Sequence, residues 1–94
     1  MAFNLSIDIA KKLNIDEKDL QRKSIRIFLE RELLNLKTEL LYLATKYNLK
    51  SIKSFEKTIK EGKIHENNET REDFFRWDYL ERKIGKLKNL LNAL

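Results

Sequence analysis

The stretch Leu29–Tyr47, "LERELLNLKTELLYLATKY", decides how this chain folds. Its Leu29, Leu33, Leu36, Leu40, Leu43 and Tyr47 follow one another at spacings of 4, 3, 4, 3 and 4 residues. That is an a/d stripe, the pattern by which one helix zips against another. A second stripe stands near the C-terminus. Trp77, Leu80, Ile84, Leu87, Leu91 and Leu94 follow at 3, 4, 3, 4 and 3. Two such seams joined by a short connection predict an antiparallel hairpin, within one chain or by a swap between two. The favoured register sets Leu43 against Trp77, Leu40 against Leu80, Leu36 against Ile84, Leu33 against Leu87 and Leu29 against Leu91. It brings Glu39 near Lys83, Lys37 near Glu81, Glu30 near Lys88 and Ala44 against Phe74, and leaves the like-charged Lys46 and Arg76 together. Each exposed pair is worth only about 0.2–1 kcal/mol, so the charges choose a register without holding it.

Working outward, no glycine or proline interrupts the chain from Glu17 to Tyr47, which predicts one long helix ending at Asn48. Asparagine tolerates the left-handed backbone of a helix stop. Before it, Asn14-Ile15-Asp16 reads as a turn, with Asp16 and Asp19 resembling a capping box. A short helix is expected over Ile7–Leu13 with Ser6 as its cap. Residues 1–6 stay open, because Phe3, Leu5, Ile7 and Ile9 also alternate as in a strand. After Asn48, Ser51 is expected to cap a helix over 52–61 that Gly62 stops. Ile52, Phe55 and Ile59 form its apolar stripe, expected to lie over Tyr47 and Trp77. A polar linker, Lys63–Glu69, leads to a last helix over about 71–93 capped by Thr70. The fold class is therefore all-α: an antiparallel coiled-coil-like helical hairpin with a short N-terminal helix and a short capping helix. The chain reads as one domain over 1–94, with 1–15 an N-terminal segment free to move or to form a dimer contact.

A hairpin does not use every apolar residue. Leu20, Ile27, Leu34 and Leu41 form a second row at spacing 7. Ile25, Phe28, Tyr42, Phe75, Tyr79 and Leu90 point elsewhere. Leu20, Ile27, Leu34, Leu41, Phe28, Phe75 and Tyr79 are the candidate oligomer or partner surface. A homodimer or larger assembly is expected.

The composition says what chemistry to look for. The chain has 94 residues, no cysteine, no proline, two glycines and a net charge of +5. Without cysteine there is no disulfide and no thiolate metal site. Along the sequence the charge is spread thinly, with +2 over 1–26, 0 over 27–49, +1 over 50–69 and +2 over 70–94. No apolar run approaches the roughly 20 residues of a membrane span, so a cytoplasmic protein with no membrane partner is expected. The lone His65 sits in the polar linker, where Glu66 and Glu69 make at best a weak surface site. Gly62 and Gly85 stand alone, so no glycine-rich phosphate loop exists. Glu72, Asp73 and Asp78 suit the dipole at a helix start. No catalytic residue, metal site or cofactor is expected, and the chain does not read as an enzyme.

One stretch points to nucleic acid. "IAKKLNIDEKDLQRKSI", Ile9–Ile25, resembles the middle of a helix-turn-helix reader: Ala10 is small, and Leu13, Ile15 and Leu20 are spaced like that motif's core. Lys18, Gln21, Arg22 and Lys23 would be its reading positions. A complete reader also needs a third supporting helix and a free-standing second one, whereas here the second helix runs on for about 30 residues. Lys53, Lys57 and Lys60, spaced 4 and 3 on the polar side of the third helix, are further candidates for phosphates or an acidic partner.

Beyond single motifs, "KSIRIFLERELLNLKTELLYLATKYNLKSIKSFEKTIKEGKI" (Lys23–Ile64) followed by "REDFFRWDYLERKIGKLKNLL" (Arg71–Leu91) resembles small all-helical, mostly uncharacterised archaeal and bacterial proteins. Those carry a Ser-(Leu/Ile)-Arg-x-Phe-Leu phrase, here Ser24–Leu29, and a Tyr-Gly-(Val/Leu) break, here Tyr47-Asn48-Leu49 with asparagine in place of glycine. An acidic-aromatic helix follows, here Trp77–Glu81. The resemblance covers about residues 9–91, and its motifs are packing phrases. It implies an antitoxin-like partner of a toxin. The expectation is a helical protein-interaction module working as a homo-oligomer, the alternative a small DNA- or RNA-associated regulator.

Overall fold

A computed structural model describes residues 2–94 as four helices: α1 (Ala2–Leu13), α2 (Glu17–Tyr47), α3 (Ile52–Lys60) and α4 (Asn68–Ala93). At 1.5 Å per residue α2 is about 46 Å long and α4 about 39 Å. They run antiparallel as a hairpin, with α3 laid along the first half of α4 at one end. The molecule measures 61 × 23 × 17 Å.

Each helix ends for a local reason, and three end in the same way. Asn14 (φ 55°), Asn48 (φ 53°) and Gly62 (φ 73°) take the left-handed backbone. The residue after each returns its N–H into the helix just finished: Ile15 to the Ala10 carbonyl at 2.8 Å, Leu49 to Ala44 at 3.0 Å, and Lys63 to Thr58 at 3.1 Å. The residue in the turn adds a second bond, to Lys11, Thr45 and Ile59 respectively. This pair of hydrogen bonds satisfies carbonyls that a helix end would otherwise leave bare. Two of the three stops share a small residue, Ala10 or Ala44, beneath an Ile or Leu. Both asparagines therefore act as helix punctuation.

The starts differ from the sequence reading at three points. α1 begins at Ala2, so Ser6 lies inside it and the strand alternative is not taken. Leu5, Ile9 and Leu13, four apart, line one side of a helix, and no strand exists among the described residues for such a segment to join. Met1 lies outside the described residues. Asp16 caps α2 by accepting from the Lys18 N–H at 3.2 Å, so the expected box with Asp19 is replaced by a single bond. α4 starts at Asn68, capped by Asn67. Thr70 sits one turn in, where its N–H reaches Asn67 Oδ1 at 2.9 Å and its hydroxyl accepts the Asn67 N–H at 2.8 Å. This reciprocal pair satisfies two orphan donors at once, which is why two capping residues occur three apart. α3 starts as expected, with Ser51 Oγ accepting from the Ser54 N–H at 3.1 Å.

Both seams are buried. Leu29, Leu36 and Leu43 of α2 meet Trp77, Leu80, Ile84 and Leu87 of α4, with Leu33, Leu40 and Leu91 partly covered beside them. The seam stops at Leu91, since Leu94 is exposed. Phe55 seals the α3 end. It is fully buried, 4.5 Å from the Tyr47 ring, 5.4 Å from Trp77 and 5.6 Å from Phe74 between centroids. The contacts to Trp77 and Phe74 are edge-on, and such pairs add about 0.5–1.5 kcal/mol each beyond area burial. α3 thus lies over Tyr47 and Trp77.

The ion pairs across the hairpin are not those the register suggested. Arg76 meets Glu39 with two nitrogens, and Lys46 reaches Glu69 at 2.6 Å and Asp73 at 2.7 Å. Lys46 and Arg76, expected to repel each other, each hold acids. Glu81 does not meet Lys37. Its carboxylate accepts the backbone N–H of Ile52 at 3.0 Å, which ties α3 to α4 at a helix start, where the dipole favours negative charge. None of the expected Glu39–Lys83, Lys37–Glu81 and Glu30–Lys88 pairs forms among the described residues; α3 claims the Glu81 carboxylate and the Arg76 fork that of Glu39.

At the head, Tyr47 donates its hydroxyl to Asp73, which also holds Lys46. Burial first, then the Asp73 carboxylate, push the Tyr47 hydroxyl up to about 12. Burial pushes the Asp73 carboxyl up, and the bonds from Lys46 and Tyr47 outweigh it, leaving the group below its ordinary value. Asp73 and Glu69 hold Lys46 protonated well above the usual lysine range. The cluster joins the end of α2 to the start of α4 as a structural clamp.

Candidate interaction surfaces

α2 is apolar on two opposite sides. At 100° per residue the row Leu20, Ile27, Leu34, Leu41 runs along the back of the helix, away from the seam. Leu20 is half-buried, but Ile27 is 53% exposed, Leu34 64% and Leu41 66%. A helix with one apolar stripe lies on a surface, and a helix with two belongs between two layers. Among the described residues α4 covers the seam and α1 packs on the start of α2, which leaves Ile27, Leu34 and Leu41 of the back row exposed.

The remaining members of the expected partner surface do not form one patch. Phe28 and Tyr42 are exposed on the flank of α2. Tyr79 lies on α4 with Arg76 and Lys83 over its ring at 5.0 and 5.5 Å, and Lys83 Nζ donates to its hydroxyl at 3.0 Å. Phe75 stands in a separate groove between α3 and α4, floored by Ile59 and Phe74 and rimmed by Glu56, Lys60 and Arg71. The wrap of α3 around α4 divides Phe75 from the α2 row, which periodicity within single helices does not reveal.

The polar candidates also sort out. α1 packs on the start of α2 with Ala10 buried, as a helix-turn-helix requires. Lys18, Arg22 and Lys23 are exposed. Gln21 is half-buried and donates to Glu17 at 3.1 Å, so it is not a free reading residue. On α3, Lys60 pairs with Glu56 at 3.1 Å and Lys57 lies 3.9 Å from Glu61. That face is largely neutralised, and of its three lysines Lys53 makes no ion pair among the described residues.

The hairpin does gather charge at its other end. Folding back sets 82–94 beside the middle of α2, with the last turns of α4, around Leu91, toward its first half. Residues 1–31 and 82–94 together hold eleven Lys and Arg against five Asp and Glu. Residues 32–81 hold nine against ten. The foot of the molecule is thus +6 and the head −1, with Arg26, Arg31, Lys83, Lys86 and Lys88 adding to the cations noted from the sequence. Summing along the chain hid this polarity. The legible signal was that no acidic residue follows Glu81.

The profile of the Uncharacterized protein MJ0235 family matches residues 1–94, the whole chain. The chain belongs to this family. No curated protein and no solved structure matches it. In this MJ0235-family chain the surfaces carry the functional signal. Among its described residues no group of three or more His, Cys, Asp or Glu is placed to hold a metal ion. No helix among them is long and apolar enough to cross a membrane.

Proposed function

We propose that the chain is a helical protein-interaction module that works as a homo-oligomer, its exposed α2 row covered by protein. The observation that carries this is surface. The chain exposes 7522 Å², whereas a compact monomer of 11.3 kDa exposes about 5,700 Å². Its radius of gyration is 19.4 Å, against about 12 Å for a compact chain of this length. The excess, about 1,800 Å², exceeds the roughly 800 Å² that each partner buries in a standard interface. An extended module with apolar rows also suits an antitoxin-like role, in which the assembled hairpins cover a second protein. The test is thermal melting at chain concentrations spanning a hundredfold. An assembling chain melts at a higher temperature as concentration rises. A midpoint flat across that range removes the oligomeric reading.

The charged foot favours a second reading, a nucleic-acid-associated regulator that contacts phosphates with Lys18, Arg22 and Lys23 at the α1–α2 turn. A gel shift with duplex DNA separates the two. A shift that weakens steeply between 50 and 200 mM salt, and is lost when those three residues become alanine, supports the regulator. No shift at low salt sinks it.

A further inference from the structure

The α2 row specifies its own occupant. We propose that a second copy of this chain packs antiparallel on the back of α2, with Leu34 on the two-fold axis. This rests on the oligomeric reading above and adds the surface, the direction and the register.

Three observations converge. First, a two-fold axis at Leu34 sets Leu34 on Leu34 and Ile27 on Leu41, twice over, so the exposed row meets itself apolar to apolar. A slide by half a repeat sets the same residues against Ser24, Arg31, Thr38 and Thr45. Second, Glu30 and Lys37 flank the row on one side, one heptad apart, and neither makes an ion pair among the described residues. About the Leu34 axis, Glu30 of each copy comes opposite Lys37 of the other. On the far flank Phe28 of one copy faces Tyr42 of the other. Parallel pairing turns Glu30 toward Arg31 and Asn35 of the other copy and Lys37 toward Thr38 and Tyr42, so the two Glu30–Lys37 pairs are lost. Third, the chain is polar end to end. Parallel pairing lays a foot of +6 against a foot of +6. Antiparallel pairing lays each foot beside the other copy's head of −1, so the two cation-rich ends lie at opposite ends of the pair, separated by more than a Debye length of about 8 Å at physiological salt.

The native chain has no cysteine, so single thiols report on geometry cleanly. Leu34→Cys, Ile27→Cys and Leu41→Cys are each treated with a short bismaleimide, with helicity and Trp77 emission checked to confirm folding. The expected result is a covalent dimer from Leu34→Cys alone. Ile27→Cys and Leu41→Cys should link when mixed and not separately. Parallel pairing gives the reverse: Ile27→Cys and Leu41→Cys each link to themselves and not to each other, which overturns the proposal. A chain that is dimeric by mass but links at none of the three positions also overturns it, and leaves the oligomeric reading standing. A chain that is monomeric overturns both. Charge provides an independent arm. Glu30→Lys or Lys37→Glu alone should weaken dimerisation about tenfold, since two pairs turn from attraction to repulsion. The double Glu30→Lys/Lys37→Glu variant should recover to within about threefold of the native chain. A double variant weaker than either single one contradicts the register.

Discussion

Phe55→Ala is expected to lower stability by about 3–5 kcal/mol, the cost of removing a fully buried ring and leaving its cavity. At fixed chain concentration that lowers the melting midpoint by roughly 12–40 °C. The effect should be large for so short a helix. α3 has nine residues, too few to stand alone, and it is held to the hairpin by Phe55, the Ile52–Glu81 bond and the flanking Ile52 and Ile59. The Phe55 ring touches Tyr47, Phe74 and Trp77, so its loss opens the α2 end, the α4 start and the α3 face together. Trp77 reports on this directly. It is the only tryptophan and is 1% exposed, so its emission should move to the red as α3 loosens. Phe75→Ala is the control. Phe75 is 66% exposed, and its loss should change stability by no more than about 0.5 kcal/mol. A Phe55→Ala chain with a native midpoint and native emission would show that α3 is not packed as described.

The second large effect belongs to the outer face of α2. Leu34→Glu with Leu41→Glu should leave the folded hairpin intact and abolish assembly. Both residues are two-thirds exposed and outside the seam, and glutamate is a good helix former. Within one chain the change should be nearly silent by circular dichroism. Each leucine buried in an interface contributes about 1–2 kcal/mol from the part now exposed. A two-fold interface loses four of them, about 4–8 kcal/mol, or roughly 10³- to 10⁶-fold in affinity. Glutamates facing one another across the axis add repulsion. A double variant that assembles as the native chain does would place the interface elsewhere.

The architecture was legible where periodicity and punctuation agree. Leu29–Tyr47 and Trp77–Leu91 repeat every three or four residues, and Asn14, Asn48 and Gly62 fall where left-handed stops were needed. α2 was readable to its last residue because a cap stands at each end. The start of α1 was not, since the apolar residues of 3–9 fit two periods over so short a span. The start of α4 moved because Asn67 and Thr70 are both cap formers, and only their reciprocal bonding shows which lies outside the helix. The cross-hairpin ion pairs were misjudged for a tertiary reason. Glu81 had a backbone N–H to serve on α3, and no pairing rule between two helices includes a third. The candidate surface was half legible. The row Leu20, Ile27, Leu34, Leu41 could be read at spacing 7, but the separation of Phe75 from it and the gathering of cations at the foot exist only once the chain has folded back on itself.

Sedimentation equilibrium of the native chain, from micromolar to hundreds of micromolar, tests the two-faced α2 most directly. The expected result is a single species at twice the chain mass of 11.3 kDa at the upper concentrations, reduced to one chain mass by Leu34→Glu/Leu41→Glu. A native chain that keeps one chain mass throughout, with full helicity, would contradict the account, because the α2 row would then be stable facing water.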